Sequence, residues 1–98
     1  MRWVAIFDDT PGADEVRKQY ADEHFEYLAR HRDKIAIGGG LRPQPGAPYC
    51  GGLWVLDVEG QDEAVALCEG DPYFVHGLRA GYRLYVWGKA PVYGLVSL

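Results

Sequence analysis

The sequence predicts an α+β fold of ferredoxin-like type, a βαββαβ chain whose antiparallel sheet carries its helices on one face. Three observations carry this. Arg2–Phe7, Leu53–Val58 and Tyr82–Trp87 are apolar stretches of strand length, and Ile35–Ile37 is a shorter one. Two segments between them, Ala13–Asp33 and Gln61–Gly70, repeat in the helical period. The chain has 98 residues, which makes residues 1–98 a single domain with no space for separate cofactor and substrate domains.

The elements follow in order. In the first strand Trp3, Ala5 and Phe7 share one face, with Val4 and Ile6 on the other; Asp8–Gly12 is turn chemistry. The long helix opens with Asp14 and Glu15, which suit the positive end of its dipole. Val16, Tyr20, His24, Tyr27, Leu28 and His31 form its inward stripe, opposite Lys18, Asp22, Glu26 and Asp33. Ile35–Ile37 is a short strand ending in Gly38, Gly39 and Gly40, and Leu41–Gly52 is a loop rich in Pro and Gly. After the Leu53–Val58 strand, the second helix turns Ala64, Val65 and Cys68 inward. Asp71-Pro72-Tyr73 opens a further helical turn to about Leu78, with Asp as N-cap and Pro at the first helical position. The Tyr82–Trp87 strand and an apolar tail from Pro91 close the chain.

Composition excludes several functions. Hydrophobic residues are 48% and charged residues 24%, the balance of a folded globule. The net charge is -4 and no Lys/Arg cluster stands free of acids, so nucleic acid is not an expected partner. No apolar run reaches the length of a membrane span, and the N-terminal run is too short for a secretion signal; a cytoplasmic protein is expected. Cys50 and Cys68 have the spacing of neither a zinc site nor a redox motif and are read as thiols. Three scattered histidines make no metal site.

Three strands are apolar on both faces, whereas two helices cover only one side of a sheet. A second copy packed on the open face resolves this, so a homodimer or higher oligomer is expected; the other solution is the C-terminal tail folding over that face.

His24 is the first candidate for chemistry. It lies within the inward stripe, where a histidine serves proton transfer or sits in the core with a carbonyl as partner. Arg17, two helical turns earlier, either holds an anionic group of a ligand or snorkels to the surface. Asp71 is explained as a helix cap, yet its second oxygen is free to hold a histidine ring. Tyr20, Tyr27 and Tyr73 cluster by pattern around His24 and Asp71. The glycine run offers either an anion nest or a strand end that needs small residues; no Lys follows in phosphate-loop spacing. His31 and His76 are read as structural or surface residues.

The strand order with His24 and Asp71-Pro72-Tyr73 resembles the YCII family over nearly the whole chain, and the Asp-Pro-Tyr is its most specific element. The resemblance implies a dimeric α+β barrel, related in fold to muconolactone isomerase, with a histidine–aspartate pair in a pocket. That pair falls on His24 and Asp71. A few members of the family eliminate chloride from a chlorinated hydroxyquinol. The implied function is a cofactor-independent isomerase, lyase or hydrolase acting on a small aromatic or lactone-like compound. His24 and Asp71 would be its catalytic pair, and Arg17, Tyr20, Gly39 and Tyr73 its substrate-binding residues. The alternative is a non-catalytic dimer that binds a small ligand. Gly38–Pro43 and the Pro-rich loop depart from the family pattern near the expected pocket mouth, so substrate identity does not carry over.

Overall fold

The computed structural model describes residues 1–97. Strands β1 (Arg2–Asp9), β2 (Ile35–Leu41), β3 (Gly51–Asp57) and β4 (Arg79–Val86) form one antiparallel sheet in the order β2-β3-β1-β4. Helices α1 (Ala13–Arg30), α2 (Gln61–Gly70) and the one-turn α3 (Pro72–Val75) complete the predicted ferredoxin-like α+β architecture.

On the helix side of the sheet, Trp3, Ala5 and Phe7 of β1 stand beside Trp54 and Leu56 of β3 and Tyr82 and Leu84 of β4. They pack against Tyr27 and Leu28 of α1 and Ala64, Leu67 and Cys68 of α2. Phe7 meets Trp54 edge-on, with ring centroids 4.9 Å apart. Each ring is buried, and truncating either to Ala costs about 3–5 kcal/mol. The Tyr27 hydroxyl donates to the Leu67 carbonyl, which ties α1 to the end of α2.

Strand β1 runs on to Asp9 rather than turning at Asp8, and β3 covers Gly51–Asp57 rather than Leu53–Val58. Strand β4 ends at Val86, and α3 stops at Val75 rather than near Leu78. Three further boundaries that bear on the site also differ from the sequence expectation. Helix α1 ends at Arg30 rather than Asp33, because the chain turns there and the Lys34 and Ile35 N–H groups both donate to the His31 carbonyl. Strand β2 runs through the glycines to Leu41, since they pair with Trp54, Leu53 and Gly52 of β3; the run is strand and not an anion nest. Gly38 and Gly40 are needed for space, whereas a Cβ on Gly39 would meet nothing within 4 Å. A Cβ on Gly38 would lie 2.9 Å from the Trp54 ring, and one on Gly40 would lie 2.6 Å from the Tyr49 ring.

Strand β4 begins at Arg79 rather than Tyr82. Its register against β1 shifts at Asp8 and Asp9, so that Gly81 opposes Asp8 while Arg79, not Ala80, opposes Asp9. This bulge reverses the alternation of side chains beyond it and turns Arg79 toward the helices.

The other sheet face carries Val4, Ile6, Ile37, Leu53 and Tyr85. The C-terminal tail does not cover it: Ile37 is 54% exposed and Tyr85 52%. Val92 and Leu95 of the tail are themselves exposed. Leu98, the last residue of the predicted tail, lies outside the described residues. Among those residues, no helix is long and apolar enough to cross a membrane.

Candidate active site

The middle of α1 and the start of α3 converge on one buried pair. His24 Nδ1–H donates to Asp71 Oδ1 at 2.6 Å. The same oxygen accepts the Tyr73 backbone N–H at 3.1 Å, so the carboxylate caps α3 while holding the imidazole. Tyr73 stacks on the His24 ring, centroids 3.8 Å apart and planes 9° from parallel. Ring rotation is therefore blocked by packing as well as by the hydrogen bond. With Nδ1 occupied, neutral His24 carries its lone pair on Nε2.

Behind this pair lies a chain of alternating charge. Arg79 Nη2 stands 3.6 Å from Asp71 Oδ2, an ionic contact beyond direct hydrogen-bond length. Arg79 Nη1 lies 3.4 Å from Asp9 Oδ1, and Arg17 Nη1 lies 2.7 Å from Asp9 Oδ2. With His24 neutral, two carboxylates and two guanidiniums balance. Arg79 is almost wholly buried and its guanidinium packs over the Phe7 ring, 4.3 Å from the centroid. Burial lowers the pKa of Arg79, and Asp71 and Asp9 oppose that loss. Burial likewise raises the Tyr73 phenol, which makes it a poor acid.

His24 opens onto a cavity of about 190 Å³ walled by Phe25, Leu28, Tyr49, Trp54 and Tyr73, by Gly38–Gly40, and by Arg17 and Arg79. Its volume is below the range typical of drug-sized ligands, which suits a compound of one or two rings. Among the described residues, no group of three or more His, Cys, Asp and Glu side chains is placed to hold a metal ion.

The structure brings together His24, Asp71, Arg17, Gly39 and Tyr73: four line the cavity and Asp71 backs it. Tyr20 stands apart from the cavity wall. It stacks on His76 with centroids 3.6 Å apart, which gives both residues a partner. Arg79, Asp9 and Tyr49 had no signal in the sequence as read. Strand period places Arg79 on the face of Arg83 and Tyr85, and only the bulge reverses it. Asp9 reads as a turn residue, and Tyr49 lies in a loop without period.

The result is a two-layer α+β molecule in which a His–Asp pair opens onto an aromatic-lined cavity. The family is specific. A YCII-related domain matches residues 1–88, and the chain belongs to that family. No curated protein matches it by sequence. Among solved structures, it is similar to a 5-chloro-2-hydroxyhydroquinone dehydrochlorinase of Burkholderia phenoliruptrix in complex with 2,5-dihydroxybenzoquinone. That match has a TM-score of 0.82 and 28% identity, covering 92% of this chain and 96% of the other. A protein of Agrobacterium tumefaciens (TM-score 0.58, 11% identity, 98% and 100% covered) shares the fold. So does a NIPSNAP domain protein of Burkholderia xenovorans (TM-score 0.50, 14% identity, 95% and 97% covered).

Proposed function

We propose that the protein is a cofactor-independent acid–base enzyme of lyase or isomerase type acting on a small hydroxylated aromatic or lactone-like compound. The carrying observation is the buried His24–Asp71 pair, 2.6 Å apart, with the imidazole lining the aromatic cavity. The likeness to a dehydrochlorinase supports the same reading.

In this reading His24 Nε2 takes a proton from a ring hydroxyl or from a carbon beside a carbonyl. The electron pair released moves into the ring. In elimination the pair first binds a proton at the ring carbon that carries chlorine. Loss of a second hydroxyl proton then expels chloride with the C–Cl bonding pair and leaves a quinone; in isomerisation the proton returns at another carbon. Asp71 holds the tautomer and stabilises the imidazolium, the part a third group plays in catalytic triads. Arg17 keeps N–H groups beyond those bound by Asp9 and the Gly51 carbonyl, and these suit an anionic oxygen of the substrate. Hydrolysis is a weaker fit, because it asks the same histidine to activate water in a site walled by rings.

The test is chloride release and quinone absorbance with chlorinated hydroxyhydroquinones. His24→Ala should abolish turnover and leave the far-UV circular dichroism unchanged. Binding of the compounds by the natural protein with no turnover would instead identify a ligand-binding module.

The active unit in this reading is a two-fold dimer joined through the open sheet face. The exposure of Ile37, Leu53 and Tyr85 on that face supports the pairing.

A further inference from the structure

Tyr49 belongs to no helix or strand, yet its side chain is held by three separate features. Its ring lies over Gly40, where a Cβ would come within 2.6 Å of it. The Arg42 guanidinium sits 5.1 Å from its centroid, and that of Arg17 sits 5.2 Å away. Both distances are within cation–π range. Arg17 is itself fixed by Asp9 and the Gly51 carbonyl, and it also stands 5.9 Å from the Tyr73 ring, which is stacked on His24. The result is an unbroken stack of rings and cations: His24, Tyr73, Arg17, Tyr49, Arg42. Tyr49 lines the cavity and is 41% exposed, so the ring stands between the cavity and solvent.

We propose that Tyr49 is the specificity-determining cover of the cavity, seated on Gly40, and that it limits which rings reach His24. This deepens the reading of the cavity as the ligand site. The loop backbone is tied beside Tyr49, where the Cys50 N–H donates to the Leu41 carbonyl and the Cys50 carbonyl accepts from Asp9 N–H, and the ring itself is held by its seat and its two cations. Gly40 has an extended backbone with no positive φ, so Ala is tolerated by the strand there, and the nearest atoms its methyl meets are those of the Tyr49 ring. Gly40→Ala therefore displaces the cover without removing it. Tyr49→Ala removes it, and Tyr49→Phe keeps it.

The test uses diethyl pyrocarbonate, which carbethoxylates neutral imidazole, on the intact protein. Modification of His24 is read by peptide mass spectrometry, with His31 and His76 as internal references. Tyr49→Ala and Gly40→Ala should each modify His24 several-fold faster than the natural protein, with His31 and His76 unchanged, and Tyr49→Phe should match the natural rate. An unchanged His24 rate in either of the first two, or acceleration by Tyr49→Phe equal to that by Tyr49→Ala, overturns the proposal. Titration with 2,5-dihydroxybenzoquinone separates this from the substrate reading. If the natural protein does not bind it, that reading fails for quinones while the modification rates still decide the role of Tyr49. If it binds, Tyr49→Ala should weaken the binding several-fold.

Discussion

Asp71 offers two oxygens to three neighbours: the His24 ring and the Tyr73 N–H share Oδ1, and Arg79 faces Oδ2. Asp71→Asn keeps an acceptor for the cap but loses the charge that stabilises a protonated imidazole. Turnover should fall roughly 10²–10⁴-fold, the usual worth of general acid–base catalysis, with a smaller loss of stability. Asp71→Ala removes the cap acceptor as well and leaves buried Arg79 with Asp9 as its counter-ion, and urea unfolding should show a loss of about 3–5 kcal/mol. If the two variants prove equally stable, the side-chain cap of α3 is not structural. A second residue-scale prediction concerns alkali. Burial pushes the Cys68 thiol up to about 12, and burial first and the Asp71 charge second push the Tyr27 phenol up to about 12. Below the ordinary thiol pKa of about 8.5 both groups are protonated in folded and unfolded chains alike. Above it, the unfolded chain releases protons that the folded chain retains, so stability should fall steadily as pH rises toward 12. Urea midpoints at about pH 8 and about pH 10 check the sign, and Cys68→Ala should flatten the slope.

At the scale of elements, legibility followed regularity. Helix α2 matches its sequence pattern because its ends and inward positions obey one period, although Leu67 is more buried than the expected Val65. Asp71-Pro72-Tyr73 announced α3 because a cap and a proline act locally. His24 and Asp71 were legible for the same reason: one lies in a clean stripe and the other at a helix start. Strand β2 was truncated on reading because glycines carry no alternation, and its glycines are explained by rings distant in sequence. Gly38→Ala presses on the buried Trp54 ring and should cost about 1–3 kcal/mol in thermal or urea unfolding. A neutral Gly38→Ala would show that β2 tolerates side chains on its helix side.

For the whole molecule, the unresolved question in the sequence was what covers the second sheet face. The helices cover one side and the tail leaves the other open, with apolar side chains of β1, β2, β3 and β4 on it. The proposed dimer predicts sedimentation at twice 10.9 kDa at micromolar concentration. The double substitution Ile37→Lys with Leu53→Lys should shift the species toward 10.9 kDa. A natural protein that sediments as a monomer removes the proposal and leaves this face in need of another partner.

The bulge between β1 and β4 makes segment length a functional quantity. Were Ala80 to pair with Asp9 in place of the bulge, the ladder would be regular, with every residue type unchanged. That pairing would also swing Arg79 to the far side of the sheet, leaving Asp71 and Asp9 facing each other's charge without a cation between them. The counter-ion of the site is thus specified by a count of residues as much as by an arginine codon. Among related chains, loss of the bulge should be tolerated only together with loss of one residue between Arg79 and Tyr82, which returns the arginine to the helix side.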